Sequence, residues 1–339
     1  MLNVKLALNI CTYKREKDIK KNLDLLYTSS FFNPEDEEHY GRLHIFVIDN
    51  ASELIIDEHE FLHVFKNRNT GGSGGFQRGI EEIRKYDDFT HVIFMDDDVI
   101  FELSCFYILF DFLKEVEGEN ALRPVAGRMF DKDNPSVQYT AAEIWNGGDI
   151  KHVEFMRDIS DGSYTPGKVI YDSGAEYGGF WFCCYPYAFV RENDIFPFFL
   201  HCDDVEYGLR CGKSPIIIEG VQVWHETWEK KMSPQVLYYD FRNSLFVNEL
   251  NGSLPSIHEI YNEWKNAITE QHVKHNYLNE YMLIRAMRDY LRGINWLYKV
   301  NHERLNIRLH NVVTNRFINS ISWRLVDRRL KEYLKSTLR

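Results

Sequence analysis

The chain has no uninterrupted apolar run of about 18 residues, the length a membrane-crossing helix needs, so no such helix is expected. Its six cysteines, at 11, 105, 183, 184, 202 and 211, include no C-x-x-C pair. That excludes the common zinc-binding frameworks. The opening stretch MLNVKLALNICTYKRE lacks the basic start, apolar run and small-residue cleavage site of a secretory leader. Reduced thiols and a cytoplasmic location are therefore expected. Internal repeats and low-complexity segments are missing too. No nucleic-acid-binding motif occurs and most of the chain is acidic, so nucleic acid is not expected as a partner.

What is there is the composition of a globular protein: 44% hydrophobic and 27% charged residues over 339 positions. A chain of that length buries a full core without staples. Aromatic residues reach 15%, which serves core packing and sugar contact alike. The net charge of −11 is uneven. Residues 271–339 carry 14 Lys and Arg against 5 Asp and Glu, a local balance of +9, so the remainder stands at −20. A basic end on an acidic body points to an anionic partner. Ile307, Leu309, Val312, Val313, Phe317, Ile318, Ile321, Trp323, Leu325 and Leu330 alternate with basic residues there. That is the pattern of an amphipathic helix resting on the inner face of the plasma membrane. The same apolar residues could equally pack on the protein itself or in a homo-oligomer.

Three short apolar runs, Val4–Ile10, Leu43–Ile48 and His91–Met95, read as strands. Between the first two, Ile19, Leu23, Leu25 and Leu26 space out a helix over Glu16–Ser29. A second helix is expected over Gly79–Lys85. Alternating strands and helices imply a mostly parallel α/β sheet with covering helices. In such sheets ligands bind beyond the carboxyl ends of the strands. The polar groups Thr12–Arg15, Asp49–Ser52 and Asp96–Asp98 fall at those ends. Residues 120–200, rich in Gly, Pro and aromatics, are expected to form short strands and binding loops. Residues 201–212 read as a helix with Asp203 as N-cap and Glu206 completing a capping box. From Pro234 the pattern is helical, with basic amphipathic stretches over Met282–Leu297 and Val312–Leu334. The expected division is 1–250 for the catalytic domain and 251–339 for a helical basic C-terminal region.

Four segments carry chemistry. Phe94-Met95-Asp96-Asp97-Asp98 sets three adjacent carboxylates at a strand end, where a divalent cation relieves their repulsion. Oxygen ligands suit Mg²⁺ or Mn²⁺, which also bind phosphates. Asn69-Thr70-Gly71-Gly72-Ser73-Gly74-Gly75-Phe76-Gln77-Arg78-Gly79 reads as a loop leading into a helix that lets a ligand approach the backbone, with Arg78 ready for a phosphate or a base. It is neither a Walker loop nor a G-x-G-x-x-G fingerprint. In His201-Cys202-Asp203-Asp204, Asp204 projects from the first helical turn as a general base. In Val223-Trp224-His225, the imidazole is a metal ligand to accompany the triple Asp.

Taken in order, NICTYKRE, FVIDNAS, NRNTGGSGGFQRG, FMDDDV, CDDVEYGLR, VWHETW and YYDFRN resemble the family-two inverting glycosyltransferases, and among them the bacterial galactofuranosyltransferases and their rhamnosyltransferase relatives. The resemblance spans residues 5–245. It implies the A-type nucleotide-sugar fold with a helical C-terminal region. It also implies transfer of a sugar, galactofuranose from UDP-galactofuranose, to a glycan or lipid-diphosphate-linked acceptor in cell-surface polysaccharide synthesis, with Mn²⁺ or Mg²⁺ as cofactor. The resemblance makes Asp96, Asp98 and His225 the metal ligands and Asp204 the base. Thr12, Arg15, Asp49, Asn69, Gly72, Arg78 and Asp97 would line the nucleotide-sugar site, with Tyr239, Arg242 and Asn243 near the diphosphate. Trp181, Trp224 and Asp203 would face the acceptor. Transfer of rhamnose from dTDP-rhamnose is the alternative, and a non-catalytic nucleotide-sugar-binding assembly protein is an alternative of another class.

Overall fold

The computed structural model describes residues 3–227 and 230–314. These form two compact units, divided after Lys231. The first carries the sheet. Its elements open with β1 (Leu6–Thr12), α1 (Glu16–Tyr27), β2 (Leu43–Asp49), β3 (Leu62–Lys66), α2 (Gly71–Ile83), β4 (His91–Asp96), β5 (Ile100–Phe101) and α3 (Ser104–Glu115). There follow β6 (Val125–Asp131), β7 (Asn134–Thr140), β8 (Glu143–Asn146), β9 (Asp149–His152), β10 (Arg157–Asp158), β11 (Val169–Ile170) and β12 (Phe182–Pro186). The unit closes with α4 (Tyr187–Glu192), α5 (Asp203–Cys211) and β13 (Ile216–His225).

In the main sheet β3, β2, β1 and β4 run parallel in that order. Antiparallel β12 then joins β4 to β6, and β6 pairs in parallel with β13. The expected α/β class, parallel from β3 through β4, is what the chain adopts. Both faces of the sheet are covered, which is why β1, β2 and β4 read as continuous apolar runs rather than alternating ones. Leu6, Leu8 and Ile10 of β1 face the cluster that includes Ile19 and Leu23 of α1 and Phe106 of α3. Ala7 on the opposite face joins Phe76, Ile80 and Ile83 of α2.

The glycine run corrects one expectation. Helix α2 starts at Gly71, so Gly71–Gly75 are its first turns rather than a loop. The glycines answer to the small face of β1. A Cβ on Gly75 would lie 2.0 Å from the Cys11 sulfur, and one on Gly79 only 1.9 Å from Asn9 Oδ1. Asn9 is fully buried and donates to the Phe76 carbonyl at 2.9 Å. Glycine costs helix stability but lets α2 lie directly on the sheet. Gly79→Ala is expected to displace Asn9 and break that bond. Overpacking of this kind costs about 2 kcal/mol net of the better helix propensity. A thermal melt should register it as a fall in Tm of roughly 4–8 °C.

The second unit holds α6 (Pro234–Leu250), α7 (Ile257–Val273), α8 (Tyr277–Tyr290), α9 (Ile294–Lys299) and α10 (His302–Thr314). Its helical character matches expectation, and α6 clusters with these helices although it precedes residue 251. The stretch Met282–Leu297 is not one helix: α8 ends at Tyr290, and Gly293, with φ of +75°, is the N-cap of α9. Of the expected helix Val312–Leu334, all beyond Thr314 lies outside the described residues. Among the described residues no helix is long and apolar enough to cross a membrane.

Candidate active site

Three strand ends build the floor of the site. Thr12 and Asp49 are register partners at the ends of β1 and β2, and Cys11 is the partner of Asp96 at the end of β4. Directly after β4 the chain turns through Asp97 and Asp98 into β5, which pairs Ile100 with Trp224 and Phe101 with Val223 of β13. That short ladder is what brings His225, the last residue of β13, to the acidic turn. Its Nε2 stands 2.9 Å from Asp98 Oδ1 and 3.8 Å from Asp96 Oδ2. One ligand atom from each of Asp96, Asp98 and His225 lies within 4.8 Å of the others. Two carboxylate oxygens and an imidazole nitrogen make a donor set that can hold a divalent cation. Glu38, His39 and Asp111 also converge, but Lys114 pairs with both acids and Asp36 holds His39.

Arg15, at the N-terminus of α1, reaches across to Asp97 at 2.9 Å and Asp98 at 2.6 Å. From two turns further along α1 the Asn22 amide donates to the carbonyls of Asp97 and Val99, each at 3.1 Å. Asn22 is a buried polar residue on the apolar face of its helix, and that mismatch was the sequence signal of its role in pinning the turn. Burial pushes Asp97 up to about 6 despite the pull of Arg15. Burial also raises Asp96, helped by repulsion from Asp98. Asp98 moves the other way: burial opposes its charge, but the His225 hydrogen bond and the Lys231 and Arg15 charges outweigh it and hold it below the usual carboxylate range. Lys231 Nζ itself stands 3.0 Å from His225 Nε2. Nothing in the sequence pattern had singled this lysine out.

At the end of β2, Asp49 accepts backbone N–H bonds from Ala51 at 2.9 Å and Leu54 at 2.7 Å, fixing the turn that follows. Asn69 Oδ1 accepts from Gly71 N at 3.1 Å and shapes the entry to α2. A Cβ on Gly72 would meet nothing closer than Asp203 Oδ2, at 4.0 Å, so Gly72 leaves open space where Gly75 and Gly79 do not. Arg78, one and a half turns further on, pairs with Glu81 and Glu82 of its own helix. Asn50 and Asn67, not anticipated, tie the ends of β2 and β3 to the same junction: Asn50 donates to Gly71 O at 2.8 Å and accepts from Asn67 at 2.8 Å.

Helix α5 enters through a left-handed turn, with φ of +67° at His201 and +65° at Cys202. Cys202 is therefore the N-cap and Asp203 the first helical residue. This corrects the expected capping box; Glu206 instead binds Arg210 at 2.8 Å. A Cβ on Gly71 would strike Phe199 O at 2.0 Å, so the turn sits tight on the start of α2 and sets Asp203 beside Gly72. Asp203 and Asp204 are both pushed up, by burial first: Asp203 to about 6, with repulsion from Asp96, and Asp204 to about 8, with repulsion from Asp203, Glu143 and Asp96. Glu143 is 2% exposed and binds His152 Nδ1 at 2.7 Å. Tyr177 bridges to Glu143 through its backbone, and its Cβ lies against Gly208, one turn after Asp204 on α5. Trp181 is half-buried and donates to Gly127 O at 2.8 Å; Trp224, beside His225, donates to Pro135 O at 2.9 Å.

Tyr239, Arg242 and Asn243 belong to the second unit, on α6. There Arg242 is fully buried, donates to Asn243 Oδ1 at 2.9 Å and to the Tyr238 hydroxyl at 3.0 Å, and stacks on the rings of Tyr238 and Tyr239.

The comparisons with known proteins bear on this geometry. The galactofuranosyltransferase GlfT2 of Mycolicibacterium smegmatis is 27% identical over 272 residues, and that of Mycobacterium tuberculosis 25% over 265. Each match covers 70% of this chain, while the chain spans about two fifths, 39% and 40%, of the length of these curated relatives. Among solved structures, residues 1–349 of S. aureus TarS share 15% identity, with 97% of this chain and 92% of that one covered at a TM-score of 0.48. The family model described as glycosyl transferase family 2 matches residues 8–174, from β1 through the triple Asp to β11. The chain carries a glycosyl transferase family 2 domain.

Proposed function

We propose that the protein is a metal-dependent inverting glycosyltransferase that moves galactofuranose from UDP-galactofuranose to a hydroxyl of a glycan or lipid-diphosphate-linked acceptor. The observation that carries the reading is the convergence of Asp96, Asp98 and His225 within 4.8 Å. The family domain supports sugar transfer, and the two relatives named galactofuranosyltransferase support the donor. Asp96, Asp98 and His225 would hold Mn²⁺ or Mg²⁺, which supplies positive charge to a departing diphosphate. Thr12, Arg15, Asp49, Asn69, Gly72, Arg78 and Asp97 would seat the nucleotide, with Tyr239, Arg242 and Asn243 assigned to the diphosphate. Asp204 takes the proton of the attacking hydroxyl as its oxygen bonds to the anomeric carbon and the bond to the diphosphate breaks. One displacement, with no enzyme nucleophile, inverts that carbon. Asp203, Trp181 and Trp224 face the acceptor. Work at the cytoplasmic leaflet through the basic residues of 271–339 completes the proposal.

The test incubates purified protein and Mn²⁺ with UDP-galactofuranose or dTDP-rhamnose and a synthetic lipid-diphosphate glycan. Expected are UDP release, a galactofuranosyl product of inverted configuration, and thermal stabilisation of about 2.7 kcal/mol by donor at 100 times its Kd. Rhamnosyl transfer would replace the donor assignment. Tight donor binding without turnover of either sugar would leave an assembly protein instead.

A further inference from the structure

Lys231 stands at the place where the acidic turn is most in need of positive charge. Its Nζ lies 3.0 Å from His225 Nε2, the same nitrogen that faces Asp98 at 2.9 Å and Asp96 at 3.8 Å. Through that shared nitrogen its charge acts on Asp98 and Asp96. Arg15 compensates the other side, through Asp97 and Asp98. Three carboxylates thus have two cations, one on each flank. Arg15 bonds carboxylates alone. Lys231 is placed on the nitrogen that a divalent ion at this cluster requires as ligand.

We propose that Lys231 is an internal counter-ion of the cluster that competes with the divalent cation and is released by it. In the tautomer that leaves Nε2 unprotonated, the lone pair takes either the ammonium or a divalent ion, and the two repel one another at that range. A lysine is suited to the exchange: its charge is compact, and its long stem rotates freely, whereas the forked guanidinium of Arg15 is held by two carboxylates. Once displaced, the ammonium remains within a side chain's length of the cluster, where the diphosphate of the donor arrives with the cation. The counter-ion then becomes a partner of the leaving group. The exchange couples the two binding events: metal alone meets a competitor, while metal with nucleotide gives that competitor a new anion to pair with. The inference rests on the metal reading proposed above.

Isothermal titration of full-length protein with Mn²⁺ alone, and then with UDP in saturating Mn²⁺, tests it without relying on turnover. Lys231→Met keeps the stem and removes the charge. It is expected to bind Mn²⁺ at least 10-fold more tightly than wild type and, with Mn²⁺ present, to bind UDP at least 10-fold more weakly. Lys231→Arg retains the charge and should keep Mn²⁺ binding near the wild-type value, with thermal melts confirming that both variants are folded. Equal Mn²⁺ affinity in wild type and Lys231→Met overturns the counter-ion role while leaving the metal site intact. Absence of Mn²⁺ binding in all three proteins overturns the metal reading and this inference together.

Discussion

His225→Ala is expected to abolish sugar transfer, with turnover down by about 10³-fold or more, the scale of losing the main stabiliser of a leaving anion. The imidazole is 5% exposed and is the one nitrogen in the group with Asp96 and Asp98. Removing it leaves two carboxylates, one already engaged by Arg15 at 2.6 Å. Asp98→Ala should have the same effect on transfer, and both should weaken binding of UDP measured with Mn²⁺. Wild-type activity should vanish with a chelator and return when Mn²⁺ or Mg²⁺ is restored. A thermal melt separates loss of the site from loss of the fold, since neither side chain lies in the apolar clusters of the sheet. Full turnover in the presence of EDTA, or a fully active His225→Ala enzyme, would end the metal assignment.

The parts of this site that the sequence disclosed are those coded by neighbours along the chain. A strand covered on both faces must be apolar throughout, so β1, β2 and β4 stood out, and the polar residues that follow had to lie at their carboxyl ends. The triple Asp was legible because three adjacent carboxylates repel one another and call for a cation or solvent to relieve them. The gaps are contacts between distant segments. Glycine's low helix propensity made Gly71–Gly75 read as a loop; what favours helix there is the small face of β1, Cys11 and Asn9, more than sixty residues away. The capping box failed because the αL backbone at His201 and Cys202, in a turn whose Phe199 packs against the start of α2, places the helix boundary one residue early. Lys231 carried no signal at all, since a lysine beside another lysine after a strand is ordinarily solvated, and only the folded chain sets it on His225. The break at Gly293 was legible in principle: glycine just past an amphipathic run is a stop signal.

Asp204→Asn is expected to lower turnover by roughly 10²–10⁴-fold, the range that a positioned general base supplies, while UDP affinity in Mn²⁺ changes little. The variant keeps the size of the side chain and the bond that Oδ1 accepts from Val205 N at 2.8 Å, so only proton acceptance is lost. In the wild type the carboxyl is pushed up to about 8, by burial and then by Asp203, Glu143 and Asp96. Both the rate and the stability then depend on pH. A general base at this position would work only when ionised, so turnover should rise with pH along a limb at or below pH 8, because neutralising Asp96 with a cation removes one cause of the shift. Stability runs the opposite way. The folded state keeps a proton that the unfolded chain releases near the ordinary carboxylate value, so the folded form binds more protons between about pH 4 and pH 8. Stability from this group is therefore whole below pH 4 and lost as pH climbs through 8. Asn carries no charge to bury, so the inactive variant should melt above wild type at pH 9, with the gap closing toward pH 5. Melts of both proteins in chelator across that range measure the gap directly. If Asp203→Asn destroys turnover while Asp204→Asn leaves it whole, the base is Asp203. If neither changes the rate, the proton leaves by another route, and the two carboxylates on α5 serve only to bind.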